Sequence, residues 1–242
     1  MSFAAAATKR KPGRPRANEA RPSVKESLLG ATIKAVASHG PLAVNARRVC
    51  DDAGVMYAAV NYNFGSWNGL LAAASSRVYA EYVDLLWEAV NHAERQPRER
   101  LRAYIQAQID WARHMPGWGA VFNYPVSVEE VTKIRVERDY LETVGLFRLN
   151  LARLEQLVID VRENSVTEFD YGVDDFPVEQ MLADTKAVAR STSIGWSTMG
   201  MAVWASRGEA GDIQVNEVKG LEPSLMEFHI NALIDSIAQD RA

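Results

Sequence analysis

Apolar residues follow a helical period in the first patterned segment of the chain. Ser23 and Glu26 have the spacing of a capping box, in which the serine hydroxyl accepts from the Glu26 amide and the glutamate reaches back. The apolar stripe that follows consists of Val24, Leu28, Ile33 and Val36. Gly40 then suits a left-handed C-cap, and Pro41 cannot continue the helix. The pattern predicts a first helix between Ser23 and Gly40.

Glycines divide the next fifty residues into three further helices. The pattern predicts a short helix at roughly Ala46–Ala53 capped by Asn45, another at about Tyr57–Asn63, and a long helix capped by Ser66 that runs to about Ala93. Gly54 supplies a tight turn between the two short helices, and Gly65 ends the second of them. Two short helices joined by a tight glycine turn are the outline of a helix-turn-helix.

Proline and glycine also divide the remainder into helical segments. In chain order the pattern predicts a helix over 98–115, an aromatic connector over 116–125, a largely helical stretch over 127–163 with an interruption near 137–141 left open, a polar and acidic connection over 164–176, a helix from Pro177 to about 206, a loop at 208–211 and a last helix from Pro223. The apolar side of the last helix is assigned to Leu225, Phe228, Leu233 and Ile237. Only 213–218 has a weak strand pattern, so the sequence predicts an all-α fold.

Length and composition are those of a folded protein without a membrane span. The chain has 242 residues, 48% of them apolar, and no window holds the ~18 consecutive apolar residues that a span requires. Lys9-Arg10-Lys11 follows the short apolar start too closely for a signal peptide. The one cysteine, Cys50, fits a reducing cytosol and is expected to be a small buried apolar side chain. We therefore expect a cytoplasmic protein.

Charge is distributed unevenly along the chain. Residues 1–75 hold ten basic and four acidic residues, a net charge of +6, so the remainder carries −10 of the total charge of −4. A basic N-terminal part on an acidic body indicates that the N-terminal part binds a polyanion. Such a charge bias more often reflects only a solvated surface. The choice between a polyanion-binding region and a solvated surface therefore depends on the sequence motifs.

Residues 1–22 are predicted to form a flexible basic arm, because their alanines, basic residues and prolines leave almost nothing to bury. Lys9-Arg10-Lys11-Pro12-Gly13-Arg14-Pro15-Arg16 resembles an AT-hook core. In such a core proline keeps the chain extended, and Arg14 can enter a narrow A·T minor groove. The alternative is a basic tail that adds only nonspecific affinity.

The most specific motif lies between Asn45 and Leu71. Ala53-Gly54-Val55 is an alanine-glycine-valine turn, Asn61-Tyr62-Asn63-Phe64-Gly65-Ser66 is close to the sequence NYHFGS, and Leu70-Leu71 is a leucine pair. With these features the segment resembles the DNA-binding signature of the TetR family of transcriptional regulators, over roughly residues 23–75.

The resemblance implies an architecture for the whole chain. It implies an N-terminal three-helix helix-turn-helix DNA-binding domain at 23–75, and a C-terminal helical ligand-binding and dimerisation domain at 76–242. It also implies a homodimer, with helices near 177–206 and 221–240 at the interface.

The predicted recognition helix has side chains suited to the major groove of DNA. Ala58 and Ala59 make it slim, while Tyr57, Asn61 and Asn63 supply reach and hydrogen bonds. Asparagine can pair bidentately with adenine, and an alanine methyl group can touch that of thymine. The alternative for the two asparagines is surface decoration or helix capping.

Phosphate contacts are expected at the start of the second helix. Arg47 and Arg48 open that helix, Asn45 caps it, and a helix N-terminus favours phosphate. The resemblance implies a DNA contact at Arg47 and a phosphate contact at Tyr62.

Three residues depart from the family pattern. Trp67 stands where a phosphate-binding lysine is usual, although its indole N–H can still donate to phosphate. Met56 replaces the serine that usually caps the recognition helix, and Gly69 lies where a helix-favouring residue is common. Met56 and Trp67 remain among the predicted DNA-contacting residues.

The C-terminal part has no catalytic or metal-binding pattern. Its histidines are scattered, no His/Cys/carboxylate cluster has metal-ligand spacing, and there is no glycine-rich phosphate loop. We therefore expect neither an enzyme nor a cofactor.

Aromatic residues of this part are candidates for a small-molecule pocket. They predict an apolar or aromatic effector, with ligand contacts at Trp111, Trp118, Phe122, Tyr124, Trp196 and Met199. The alternative is that most of them belong to the core. Small residues such as Ser191, Ser193, Gly195 and Gly200 permit close approach of a partner helix or of a ligand, and the sequence does not separate these roles.

The sequence thus predicts a sequence-specific DNA-binding transcriptional regulator. The hypothesis is a ligand-responsive repressor that binds a palindromic double-stranded DNA operator as a homodimer. The alternatives are an effector-independent architectural DNA-binding protein and an enzyme that retains the helix-turn-helix only as an element of its fold.

Overall fold

The computed structural model describes residues 22–123, 138–168, 176–206 and 221–239, and all regular structure in these ranges is helical. The helices are α1 (Val24–His39), α2 (Ala46–Ala53), α3 (Ala58–Phe64), α4 (Trp67–His92), α5 (Pro97–His114), α6 (Pro116–Asn123), α7 (Arg138–Glu163), α8 (Val178–Met181), α9 (Thr185–Ser206) and α10 (Leu221–Gln239). A 3₁₀ turn at Pro41–Ala43 joins α1 to α2. The predicted all-α fold is confirmed.

Capping residues set the bounds of α1. The Ser23 hydroxyl accepts a hydrogen bond from the Glu26 amide at 3.1 Å, which is one of the two bonds of the predicted capping box. The Glu26 carboxylate lies 2.7 Å from the Arg77 guanidinium, which ties the start of α1 to α4. Gly40 ends α1 with a φ of +74°, and its N–H donates to the Val36 carbonyl.

Helices α2 and α3 form the predicted helix-turn-helix. The Asn45 side chain accepts from the Arg48 amide at 3.0 Å, and Gly54 takes the left-handed conformation, with a φ of +65°, in the turn. Val49 and Val60 are fully buried, and α1 packs against both α2 and α3. These two short helices are thereby fixed on α1.

Helix α4 is shared by the N-terminal and the C-terminal parts of the chain. The Ser66 hydroxyl caps it by accepting from the Gly69 amide at 3.0 Å, and the helix then runs for 26 residues. It packs against α1 and α3, and also against α5 and α7. The boundary proposed at residue 75 therefore falls inside one continuous helix.

The C-terminal body is built around α4, α5, α7 and α9. Helix α10 covers α5, α7 and α9, and Trp87, Leu154 and Ile230 are among the fully buried side chains. Cys50 is buried in the N-terminal part of the same continuous core, as expected.

The expected aromatic connector at 116–125 is in fact helical over 116–123. Two glycines and a proline make this stretch a weak helix former, but α6 packs against α1 and α9. Packing against neighbouring helices overrides the local preference.

The helix predicted from Pro177 to 206 is divided into two. Helix α8 ends at Met181 and α9 begins at Thr185. The Asp184 carboxylate accepts a hydrogen bond from the Lys186 amide at 2.9 Å. An aspartate that binds a backbone N–H in this way interrupts one helix and caps the start of the next.

The prediction that Phe228 lies on the apolar side of α10 is wrong. The buried side consists of Met226, Ile230, Ile234 and Ile237, which follow a helical spacing of four and three residues. Phe228 lies away from that side and is 72% exposed. Leu225 and Leu233 are partly buried and pack against the core.

Several predictions lie outside the described residues. They concern the basic arm with Arg14, the residue Tyr124, most of the acidic connection, the loop at 208–211 and the weak strand at 213–218. The side chain of Phe122 is also outside the described part. Within the described ranges, no helix combines the length and the hydropathy needed to cross a bilayer.

Candidate functional site

The outward face of α3 carries large exposed side chains. Tyr57 is 55% exposed and Tyr62 is 90% exposed. Ala58 and Asn61 are exposed between them. Because these residues are spaced by one and four positions, they share one face of the helix. This recognition face combines two phenols, an amide and a slim methyl-bearing position.

The inward face of α3 is fixed to the core. Val60 is fully buried, while Ala59 and Phe64 are partly buried against the core cluster. The Asn63 amide donates to the Ala59 carbonyl at 2.8 Å, so its N–H group is engaged within the helix. The Lys25 ammonium lies 5.7 Å from the centre of the Phe64 ring, a cation–π distance.

The N-terminus of α2 brings the predicted phosphate contacts together. Asn45, Arg47 and Arg48 are all exposed there. The Arg48 guanidinium lies 2.7 Å from the imidazole Nε2 of His39, at the end of α1. Two basic residues therefore lie in the first turn of α2, at the helix end that carries a partial positive charge.

The two remaining predicted DNA contacts differ in exposure. Met56 is 81% exposed in the turn before α3, and Tyr57, rather than Met56, stands at the cap position of α3 and makes no side-chain capping hydrogen bond. Trp67 is half-buried and packs against the core at the start of α4.

A cavity of about 340 Å³ lies between α4, α5, α7 and α9. Its size is at the lower end of small-molecule sites. The lining is formed by Ser75, Tyr79, Tyr82, Tyr104, Gln108, Thr143, Val144, Phe147, Asn150, Leu151, Leu154, Ser191, Thr192, Gly195, Trp196 and Met199. None of these described lining residues carries a formal charge.

Hydrogen bonds fix the polar groups on the inner wall of the cavity. The Asn150 carbonyl oxygen accepts from the Trp87 indole at 3.0 Å, and the Asn150 amide donates to the Tyr104 hydroxyl at 3.1 Å. Burial raises the pKa of the Tyr79, Tyr82 and Tyr104 phenols above their ordinary value. The three phenols therefore stay neutral at physiological pH.

The predicted ligand contacts fall in different places. Trp196 and Met199 line the cavity, and Trp196 is 67% exposed. Trp111 lies behind the wall, with its ring centre 4.7 Å from that of Tyr82. Trp118 is fully buried in the core, which is the alternative that the sequence left open for these aromatics.

Helix α6 connects the C-terminal body to α1. The Trp118 indole donates to the Ile33 carbonyl at 2.9 Å. Gly117 lies so close to α1 that an added Cβ would be 1.8 Å from the Val36 carbonyl oxygen. The C-terminal body thus contacts α1 through α6 as well as through α4.

Solved structures match this arrangement over nearly the whole chain. The fatty acid degradation regulator FadR from Bacillus halodurans has a TM-score of 0.58 and 14% identity, over 89% of this chain and 97% of its own. FadR from Bacillus subtilis, solved in complex with stearoyl-CoA, has a TM-score of 0.57 and 12% identity, over 86% and 96%. A Rhodococcus sp. protein assigned to the TetR family has a TM-score of 0.56 and 17% identity, over 90% and 100%.

The chain has the fold of the TetR-family regulators. No family model and no curated protein sequence matches it. The TetR fold accounts for the long α4, which runs from the helix-turn-helix into the C-terminal body. Among the described residues of this TetR fold, no group of three or more His, Cys, Asp or Glu side chains is placed to hold a metal ion.

Sequence reasoning missed most of the cavity wall. Tyr79 and Tyr82 are three residues apart on α4, and Tyr104 and Gln108 are four residues apart on α5. These spacings place each pair on one helix face. The sequence therefore shows that each pair shares a helix face. It does not show that the two pairs and α7 line one cavity in the TetR fold.

Proposed function

We propose that the protein is a ligand-responsive transcriptional repressor that binds a palindromic operator as a homodimer. The observation that carries the proposal is the recognition face of α3. Tyr57, Asn61 and Tyr62 are exposed there on a helix whose opposite side is buried. Exposed phenols and an amide on a rigid helix suit contacts with base edges and phosphates.

The start of α2 supports the same DNA-bound orientation. Asn45, Arg47 and Arg48 would contact the phosphate backbone, and the basic arm with Arg14 would add contacts in the minor groove or along the phosphates. These contacts position the protein, whereas Asn61 supplies preference for particular bases.

The cavity is proposed as the effector site. Tyr79 and Tyr82 of α4 line it, while the same helix packs against α1 and α3. A ligand that favours one position of α4 or of α6 would shift the helix-turn-helix with it. The ligand can change the affinity for DNA by no more than the difference between its own affinities for the two helix positions.

The homodimer is proposed from the outer faces of α9 and α10. Ala189, Ser193, Trp196 and Gly200 are exposed on α9. Ser191 and Gly195 line the cavity instead, and Trp196 both lines the cavity and is exposed. The small residues therefore divide between the two roles by helix face. On the neighbouring α10, Phe228 is exposed. Two adjacent helices with exposed apolar residues suit a two-fold helical interface.

The test is selection of binding sites from a random duplex library at near-physiological salt. The selected sites are then titrated with the wild type and with Asn61→Ala. A homodimer with two recognition faces should enrich a palindrome with half-sites about one helical turn apart. Asn61→Ala should weaken binding by about tenfold and relax the preference at one position of each half-site.

Asn91→Ala is the matched control, because Asn91 is an exposed asparagine at the far end of α4. It should bind the selected site as the wild type does. Enrichment of only A·T-rich DNA, with no palindrome, would favour the architectural alternative. Equal binding by Asn61→Ala and Asn91→Ala would remove α3 from the interface.

A further inference from the structure

Basic residues are absent from the segment that holds the recognition helix. Between Arg48 and Arg77 the sequence has neither lysine nor arginine, so α3 and the start of α4 carry no cation of their own. Arg77 is engaged with two carboxylates, at 2.7 Å from Glu26 and 3.3 Å from Glu81. A helix in the major groove has phosphates on both sides of it. A positive charge at the α3 end of the helix-turn-helix therefore has to come from another part of the chain.

Lys25 brings an ammonium group to the end of α3. It is exposed in the first turn of α1, and its Nζ lies 5.7 Å from the centre of the Phe64 ring. Phe64 is the last residue of α3 and follows Tyr57 and Asn61 by seven and three positions. These helical spacings place the half-buried ring at the border of the recognition face. The ammonium group is therefore beside that face.

The two ends of α1 mark two basic places on the helix-turn-helix. Arg48, near the start of α2, lies 2.7 Å from His39 in the last turn of α1. Lys25, in the first turn of α1, lies beside the end of α3. Helix α1 has 16 residues and is therefore about 24 Å long. The two cations thus stand far enough apart to meet phosphates on different sides of one major groove, which is about 12 Å wide.

The surroundings of Lys25 leave its charge available to a ligand. Residues 22–26 are all exposed, and among the described residues the ammonium contacts the Phe64 ring without forming an ion pair. The neighbouring carboxylate of Glu26 is paired with Arg77 instead. An exposed cation–π contact is weak, so a phosphate can be added to it or exchanged for it.

A purely structural role is the alternative for Lys25, in which it only fastens α1 to α3. Loss of such a role would lower the stability of the fold, and it would change DNA affinity by the same factor at every salt concentration. A phosphate contact instead releases counterions from DNA, so its loss reduces the salt dependence of binding. Salt dependence therefore separates the two roles.

We propose that Lys25 binds a DNA phosphate beside the end of α3, on the side of the major groove opposite to Arg47 and Arg48. The inference rests on the proposed DNA binding by the recognition face. It adds a contact that lies outside the helix-turn-helix motif in the sequence, because Lys25 reaches the interface from α1.

The test measures operator affinity against salt concentration for Lys25→Met. Fluorescence anisotropy with the selected operator, over about 50–200 mM KCl, gives the slope of log K against log salt. The magnitude of the slope should fall by about 0.9 for each protomer bound, and binding should weaken by about tenfold for a dimer. Lys25→Arg keeps the charge and the cation–π contact, so it should retain the wild-type slope.

Lys34→Met is the matched control. Lys34 is also exposed on α1, but nine positions from Lys25, which places it on the opposite side of the helix. It lines a groove between α1 and α2 together with Asp52. The control loses the same charge, so it accounts for long-range electrostatics and should keep a slope close to that of the wild type. Urea unfolding checks that each variant is folded.

Two results would overturn the proposal. They are an unchanged slope in a folded Lys25→Met protein and an equal reduction of the slope in Lys34→Met, and neither would count against a regulator whose wild type binds its operator. A random-sequence duplex, titrated in parallel, separates the two claims. A slope on that duplex that depends on Lys25, without any preference for an operator, would keep the phosphate contact and count against the sequence-specific regulator. A wild type that binds neither DNA would overturn both.

Discussion

Gly69 shows how one residue position controls the presentation of the recognition helix. It lies in the first turn of α4, and an added Cβ would be 2.1 Å from the Phe64 carbonyl oxygen, the last residue of α3. From sequence, Gly69 was only a departure from a helix-favouring residue. The structure gives the reason, because the corner between α3 and α4 leaves no room for a side chain.

Gly69→Ala should therefore destabilise the protein despite the better helix propensity of alanine. The clash is with backbone, so α3 has to shift, and overpacking of this kind costs about 1–3 kcal/mol. Urea unfolding measures the change. Gly30→Ala is the matched control, because Gly30 is in α1 with open space around its Cβ position, and it should stabilise by about 0.5–1 kcal/mol. Equal stability of the two variants would contradict the steric argument.

At the scale of elements, a buried polar cluster joins α5, α7 and the segment that follows α7. Arg100 of α5 and Asp160 of α7 are 3% and 1% exposed, with their charged groups 4.0 Å apart. The Asp160 carboxylate also accepts from the Thr167 amide and hydroxyl, both at 2.8 Å. The Arg100 guanidinium donates to the Thr167 carbonyl. The chain after α7 is thus held by charge-assisted hydrogen bonds.

Asp160→Ala should lower the free energy of unfolding by about 3–5 kcal/mol, since it removes a buried carboxylate that faces Arg100 and accepts two hydrogen bonds from Thr167. Chemical denaturation measures this loss. The control is Asp110→Ala on α5, where a half-exposed carboxylate lies 3.0 Å from Arg113 and the pair should contribute at most about 1 kcal/mol. A loss at Asp160 no larger than that at Asp110 would show that the cluster is not a structural anchor.

At the scale of the whole molecule, the features that the sequence predicts correctly are helix caps and turns, which depend on a few neighbouring residues. Ser23, Asn45 and Ser66 cap their helices as expected, and Gly54 makes the expected turn. Local chemistry could not reveal α6, whose helix depends on packing against α1. Nor could it assemble the cavity, because Gln108 and Asn150 are brought together only by the packing of α5 on α7.

The outer faces of α9 and α10 lead to a prediction about assembly. Phe228 is an exposed aromatic on α10, a helix whose other side is buried in the body. Phe228→Glu would place a charge in the proposed two-fold interface, once in each protomer, where it would have to be buried against apolar residues. The variant should therefore be a monomer where the wild type is a dimer, as measured by sedimentation velocity at micromolar concentration.

The same substitution should weaken operator binding while leaving the fold intact. A monomer contacts one half-site, so it loses the second set of base and phosphate contacts that the dimer brings at high effective concentration. Leu85→Glu is the matched control, because Leu85 is 41% exposed on α4, outside the α9 and α10 faces. It should remain dimeric and bind the operator as the wild type does. A monomeric wild type, or a dimeric Phe228→Glu protein, would place the dimer interface elsewhere or remove it. A monomeric Phe228→Glu protein with undiminished operator affinity would mean that one recognition face is sufficient.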